Sequence, residues 1–199
     1  NNIIRQLIAN GIIILGSGNI AEGCWWIETS NQIYGTTLNP YDILRTSGGS
    51  SGGTAVAIST AACPLGIASD TGGSIRIPSY YNGVFGHKPT GGLIPGNTHN
   101  IINKELKEGD YYYSQLGPIS KYSSDLKILF NLMLNTNIEE TNKLKKINKI
   151  DFKKLQIICI MDSFSLNTPN EKIRITTEIE TDIKNSIDNL INFFNEKGS

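Results

Sequence analysis

The chain has 199 residues, of which 39% are hydrophobic, and its 18 Lys and Arg residues balance its 18 Asp and Glu residues. This hydrophobic content suffices for a folded core, and a net charge of zero argues against a nucleic-acid or acidic-membrane partner held by bulk charge. No apolar run approaches the roughly 20 residues of a membrane span, and the length fits one domain or at most two.

Strands and helices alternate in the hydrophobic pattern. In chain order we predict a helix over residues 3–9, a strand over 12–15, a helix over 54–62, a strand over 65–68, a helix over 75–81, a helix over 123–134, a strand over 155–161 and a helix over 171–196. The last helix depends on isoleucines that recur every four residues from Ile175 to Ile191. The alternation indicates an α/β fold, with a mixed β-sheet flanked by helices.

Glycine and charge are distributed unevenly along the chain. Of the 20 glycines, 12 lie between Gly48 and Gly96. Residues 1–99 contain few charged side chains, namely Arg5, Glu22, Glu28, Asp42, Arg45, Asp70, Arg76 and Lys88. A glycine-rich, charge-poor half is typical of a buried active-site region, whereas the charged half resembles an ordinary solvated shell.

Cysteine and histidine offer little for catalysis or metal binding. Cys24, Cys63 and Cys159 are odd in number and too far apart for a disulfide framework or a metal site, so we interpret them as free thiols of a reducing compartment. The two histidines, His87 and His99, are interpreted as structural or surface residues. Histidine-based triads are therefore disfavoured.

Two glycine-serine motifs dominate the chain. The first is Ser-Gly-Gly-Ser-Ser-Gly-Gly over residues 47–53, and the second is Asp-Thr-Gly-Gly-Ser-Ile-Arg over residues 70–76. Glycines leave room for close approach of backbone or ligand, and glycines before Ser74 let successive N–H groups converge on an anion or a developing oxyanion. Ser74 is well placed as a nucleophile, but its hydroxyl needs a base. With no histidine near, the options are a neutral lysine or a relay through another serine.

A third glycine-containing motif, separate from the two glycine-serine motifs, suggests a different function. Gly16-Ser17-Gly18-Asn19-Ile20-Ala21 follows a predicted strand and fits the dinucleotide-binding pattern G-x-G-x-x-A, with Asp42 as the acidic residue further on. Trp25 and Trp26 make the following segment a poor crossover helix. We interpret these two tryptophans as core residues, which near a pocket could also serve as a recognition platform.

The two serine motifs, together with Gly83-x-x-Gly86-x-Lys88-Pro89-Thr90, resemble the amidase signature family of serine hydrolases. Residues 25–35 and 86–90 resemble its fatty-acid amide hydrolase 2-like branch more than the A-type component of tRNA amidotransferases. The resemblance implies that the chain is part of a single amidase signature domain over residues 1–199, with its catalytic core at about residues 11–125 and with N- and C-terminal portions missing.

The resemblance also implies roles for individual residues. Ser74 matches the acylating nucleophile, and Ser50 matches the relay serine, whose peptide bond with Gly49 is cis in the family. The remaining matches are the oxyanion-hole amides of Thr71, Gly72, Gly73 and Ser74, the supporting residues Ser51, Asp70 and Arg76, and Cys24 near the substrate pocket. From the residues themselves, Asp70 is interpreted as a buried acceptor that holds Arg76 or the glycine loop.

The family's third catalytic residue is a lysine upstream of the first serine, and no lysine precedes Lys88 here. Lys88 itself is interpreted as structural. We therefore expect a hydrolase of linear carboxylic amides, with fatty-acid amides as the expected substrates, whose 199 residues alone are inactive. A glutamine-hydrolysing amidotransferase component with a partner protein, an inactive remnant that acts as a binding protein, and the dinucleotide-binding protein remain as alternatives.

The amidase interpretation has consequences for ligands and partners. It implies no metal or organic cofactor, a small-molecule amide substrate and no nucleic acid. Membrane association is expected only through segments outside this sequence, in an otherwise intracellular protein, and a homodimer is left open.

Overall fold

A computed structural model describes residues 2–94, 113–134, 164–167, 172–175 and 180–198, in two compact units, residues 1–145 and 146–199. The first unit contains α1 (Asn2–Ala9), β1 (Ser30–Asn31), β2 (Gly35–Thr36), α2 (Gly52–Ser59), β3 (Leu65–Asp70), α3 (Arg76–Tyr81), β4 (Phe85–Gly86), β5 (Gln115–Ser120) and α4 (Ser123–Met133). The second contains β6 (Phe164–Asn167), β7 (Lys172–Ile175) and α5 (Thr181–Gly198). The prediction of one domain over the whole chain stays a prediction.

The main sheet of the first unit has the strand order β3-β5-β4. Its pairs are antiparallel, with a register that runs from Leu65 opposite Ser120 to Asp70 opposite Gln115. The predicted strand at residues 65–68 is confirmed and continues to Asp70. The second glycine-serine motif therefore begins where β3, an edge strand of the described sheet, ends.

Alternating side chains give this sheet two apolar faces. Leu65 and Ile67 of β3 pack with a cluster of side chains from α1 and α4, which contains Ile3, Leu7, Leu129 and Met133. Ala68, on the opposite face, packs with Ile58 of α2 and with Ile75 and Ile119. Helices thus cover both faces, as expected for the α/β class.

The four helices predicted in the first unit are confirmed within a few residues. Helix α2 consists of small residues and lies close to β3 because Gly66 has no side chain: a Cβ there would lie 2.5 Å from Cγ2 of Thr54. Leu129 and Met133 are buried and lie on the same side of α4, as their spacing of four residues predicts. None of the described helices is long and apolar enough to cross a membrane.

Two predictions of secondary structure are wrong. Residues 12–15 form no strand, because no described segment pairs with them, and Ile13 and Leu15 are 80% and 70% exposed. The helix predicted over 171–196 begins only at Thr181, since Lys172–Ile175 pairs with Phe164–Asn167. Isoleucines two or four residues apart also share one face of a strand, so this spacing did not distinguish the two structures. The strand predicted at 155–161 lies outside the described residues.

In the second unit, α5 retains the predicted isoleucine stripe. Ile183, Ile187 and Ile191 are half-buried, whereas most of their helical neighbours are exposed. The stripe is therefore partly buried from residue 183 onward, and a core against which it packs stays a prediction.

Candidate active site

The first glycine-serine motif forms a buried loop that leads into α2. Ser50 is 1% exposed and Ser51 is 4% exposed. The Gly49–Ser50 peptide bond is cis, which confirms the geometry implied by the family resemblance. The hydroxyl of Ser50 is buried and has no hydrogen-bond partner among the described residues.

Glycines let this loop lie directly against two other backbone segments. A Cβ on Gly49 would lie 2.8 Å from the carbonyl carbon of Glu28, and a Cβ on Gly53 would collide with the backbone of Asn19. Gly48 has a φ of +74°, and a Cβ there would lie 2.9 Å from Cα of Pro78 in α3. The sequence needs glycine at these positions because neighbouring backbone occupies the space of a side chain.

Backbone hydrogen bonds with Asn19 and Ala21 hold the same loop. The N–H of Ala21 donates to the carbonyl of Ser50 at 3.0 Å. The N–H of Gly53 donates to the carbonyl of Asn19 at 3.1 Å. The segment that contains Cys24 therefore begins beside the loop of Ser50, and the location of Cys24 itself near the substrate pocket stays a prediction.

The second motif forms a loop around the carboxylate of Asp70, which is fully buried at the end of β3. Oδ1 accepts the N–H of Gly73 at 2.8 Å and Nη2 of Arg76 at 2.8 Å. Oδ2 accepts the N–H groups of Ile75 and Arg76 at 3.1 and 3.3 Å and Nε of Arg76 at 2.9 Å. Asp70 is thus the buried acceptor that the sequence predicted, and it holds both Arg76 and the glycine loop.

The electrostatics of Asp70 follow from these contacts. Burial alone raises the pKa of this carboxyl, but the hydrogen bonds from Arg76 and from the backbone N–H groups of Ile75, Gly73 and Arg76 outweigh it, so the pKa lies below its ordinary value. The same ion pair raises the pKa of Arg76. The carboxylate is therefore charged near neutral pH and serves as an anchor rather than as a proton donor.

Ser74 lies on the accessible part of this loop. It is partly exposed, and Thr71 and Gly72 are exposed. A Cβ on Gly72 would meet no atom within 4 Å, so the space beside it is open. Among the described residues, no backbone hydrogen bond is formed by the N–H groups of Thr71, Gly72 or Ser74, whereas the N–H of Gly73 donates to Asp70.

The two serine loops meet at Ile77 in α3. A Cβ on Gly48 would lie 3.2 Å from Cγ2 of Ile77, and a Cβ on Gly73, whose φ is +125°, would lie 2.6 Å from Cδ1 of the same side chain. One helix thus brings together the loop that contains Ser50 and the loop that contains Ser74.

Other candidates take no part in this arrangement. His87 is half-buried and its ring packs edge-on against Phe130, with centroids 5.0 Å apart, which supports the structural interpretation. Burial, and then the charge of Lys88, lower the pKa of His87. His99 and Cys159 lie outside the described residues, and Cys24 and Cys63 are free thiols. Within the described ranges, no group of three His, Cys, Asp or Glu residues could hold a metal ion.

The interpretation of the tryptophans as core residues is wrong. Trp25 and Trp26 are 88% and 65% exposed. They follow a short 3-10 turn (Glu22–Cys24) in which Gly23 and Cys24 have positive φ, and this turn directs the chain away from buried Ala21.

The dinucleotide motif also lacks its structural context. No described strand precedes Gly16, and no α-helix begins directly after Ala21, where the chain forms only the 3-10 turn. Gly18 instead packs against α2, since a Cβ there would lie 2.7 Å from the backbone N of Thr54. Asp42 forms an exposed ion pair with Arg45.

Sequence reasoning missed two buried residues that support the loops. Thr29 is fully buried and its hydroxyl contacts the backbone on both sides of Ser50. Asn82, also fully buried, donates from Nδ2 to the carbonyls of Ser47 and Pro78, both at 2.7 Å, and so ties the first loop to α3. Neither residue belongs to a glycine-serine motif, so only its position beside these loops in the fold reveals its contribution.

The chain is similar to known proteins over most of its length. The Amidase family profile matches residues 1–186. Fatty-acid amide hydrolase 2-B of Danio rerio is 40% identical over 152 residues, which are 76% of this chain and 28% of that protein. The A-type component of the glutamyl-tRNA(Gln) amidotransferase of Deinococcus deserti is 32% identical over 182 residues, which are 88% of this chain and 36% of that protein.

A solved amidase structure superimposes with a TM-score of 0.57 and 30% sequence identity, over 66% of this chain and 29% of the amidase chain. The fold described above therefore matches part of the fold of that amidase. The chain spans about a third or less of the length of the relatives that it matches.

Proposed function

The chain belongs to the amidase signature family, and on that basis we propose that it supplies the nucleophile and the proton relay of an enzyme that hydrolyses linear carboxylic amides. One observation carries the proposal. Ser74 lies on an accessible loop anchored by buried Asp70, and the helix that follows also contacts the loop of buried Ser50, whose hydroxyl has no partner among the described residues.

In the proposed reaction, Oγ of Ser74 attacks the amide carbonyl carbon and its proton passes through Ser50 to a base. The Gly73 N–H already donates to Asp70, so the N–H groups of Thr71, Gly72 and Ser74 are left to stabilise the oxyanion. The C–N bond then breaks while the relay returns the proton to the leaving amine. Water hydrolyses the resulting ester and regenerates Ser74.

The base of this mechanism is a neutral lysine, and residues 1–87 contain none. Arg5 and Arg45 cannot replace it, because a guanidinium stays protonated. Residues 1–199 alone are therefore expected not to turn over amides, and the mechanism requires a lysine from a further segment.

Fatty-acid amides are the proposed substrates, because Danio rerio fatty-acid amide hydrolase 2-B is 40% identical over the matched region. Likeness to the A-type component of an amidotransferase over 88% of the chain favours glutamine as the second candidate, with a partner protein. The absence of lysine before Lys88 favours an inactive binding protein as the third.

A fluorophosphonate probe tests the roles of the serines. Residues 1–199 would be compared with a chimera that places the segment preceding the matched region of Danio rerio fatty-acid amide hydrolase 2-B before Asn1, with labelling followed by mass spectrometry. We expect labelling of Ser74 in the chimera alone, none in Ser74→Ala, and labelling slowed by a factor on the order of 100 in Ser50→Ala.

Labelling that survives Ser74→Ala would show that another residue is the nucleophile. Equal labelling with and without the added segment would show that another base operates, and Lys88 would be the first residue to replace. Turnover of a long-chain fatty amide or of glutamine by the chimera would distinguish the two substrate classes.

A further inference from the structure

The hydroxyl of Thr29 lies across the cis peptide bond that precedes Ser50. It donates to the carbonyl oxygen of Gly48 at 2.8 Å and, at the longer distance of 3.2 Å, to that of Ser50. It accepts the N–H of Gly52 at 2.8 Å. One hydroxyl group thus contacts the backbone before and after the Gly49–Ser50 bond.

We propose that Thr29 is a positioning residue that orients Ser50 for proton transfer, an inference that rests on the function proposed above. The Oγ of Ser50 has no hydrogen-bond partner among the described residues. The direction of this side chain therefore depends on the backbone on either side of it. Thr29 binds that backbone at the carbonyl of Gly48 before Ser50, and at the carbonyl of Ser50 and the N–H of Gly52 after it.

Position 29 requires a small side chain that both donates and accepts a hydrogen bond. Thr29 is fully buried, and Gly52 lies so close that a Cβ there would collide with the Thr29 hydroxyl. A larger polar side chain has no room, and an aliphatic one would leave the N–H of Gly52 and the carbonyl of Gly48 without this partner. Threonine and serine meet both conditions.

Amide hydrogen exchange of the 199-residue chain, measured by NMR, tests the contact itself. We expect Thr29→Val to accelerate exchange at the Gly52 N–H roughly 10-fold or more, because a buried donor loses its acceptor. Thr29→Ser should stay close to the parent. Ser120→Ala is the matched control, since this fully buried hydroxyl donates to the carbonyl of Tyr122 at the opposite end of the sheet.

Fluorophosphonate labelling of the lysine-supplied chimera tests the positioning role. Thr29→Val should lower the maximal labelling rate per folded molecule about 10-fold, with little change in the probe concentration that gives half-maximal rate, and Thr29→Ser should restore it. A residue that only stabilises the fold would change the folded fraction and the melting temperature but not this rate. If Thr29→Val does not fold, Thr29→Cys, a much weaker donor, should give an intermediate rate.

The outcomes separate the two proposals. Parent-like exchange at Gly52 in Thr29→Val, or a parent-like labelling rate in that variant, overturns the role of Thr29. Absence of Ser74 labelling in the parent chimera refutes the proposed function and with it the catalytic part of this inference, while exchange at Gly52 still decides whether Thr29 holds the loop.

Discussion

Replacement of Asp70 by asparagine tests how the loop of Ser74 is held. The carboxylate accepts five hydrogen bonds, three of them from Arg76. Asparagine has only one side-chain oxygen that can accept, and its NH₂ group would face N–H groups that are themselves donors. Removal of one partner of a buried pair costs roughly 3–5 kcal/mol. The Arg76 side chain is 56% exposed and regains water, so we expect a loss near the lower end of this range.

The pH dependence of this loss gives a second test. Burial raises the pKa of Asp70, and its hydrogen bonds lower it by more. A carboxyl whose pKa is lower in the folded chain stabilises the fold fully above its unfolded pKa of about 3.9 and loses this contribution as the pH falls toward the folded value. The stability difference between the parent and Asp70→Asn should thus be constant between about pH 5 and 7 and shrink below about pH 4.

Urea unfolding followed by circular dichroism measures both effects. Asp42→Asn is the control, because Asp42 pairs with Arg45 at 3.1 Å on the surface, with side chains 44% and 79% exposed. An exposed pair of this kind contributes less than about 1 kcal/mol. If Asp70→Asn destabilises the chain no more than Asp42→Asn does, or if its effect does not change below about pH 4, the assignment of Asp70 as the anchor is wrong.

Two further predictions concern stability. Gly53→Ala should lower the free energy of unfolding by about 1–3 kcal/mol, because a Cβ collides with the backbone of Asn19, whereas Gly72→Ala, with open space around its Cβ, should change it by less than about 0.5 kcal/mol in the same urea titration. Burial lowers the pKa of His87, as does Lys88, so stability should fall as the pH drops below about 6.5. Unfolding at pH 7.5 and 5.5 should show a smaller decrease in His87→Leu, and an equal decrease would exclude His87 as its source.

Local sequence predicted the parts of the fold that depend on local chemistry. A run of small residues predicted α2, an apolar segment predicted β3, and the acidic residue before two glycines predicted the anchor at Asp70. Residues 12–15 have strand propensity but no partner among the described segments, and propensity alone does not form a ladder. The contribution of Thr29 could not be recognised from the sequence, because it depends on contacts with residues that follow Thr29 by 19 to 23 positions in the chain.

The carboxylate of Asp70 is an anion built into the loop of Ser74, where it accepts hydrogen bonds from the backbone N–H groups of that loop. Residues 70–76 therefore reach their conformation during folding. The free-energy cost of ordering their backbone, about 1–2 kcal/mol per residue, is part of folding and not of ligand binding. A preorganised loop of this kind needs no rearrangement when charge develops in a transition state. We therefore expect the loop to have the same conformation with and without a bound ligand. The N–H groups of Gly73, Ile75 and Arg76 already donate to Asp70, so they are not available to bind a free inorganic anion.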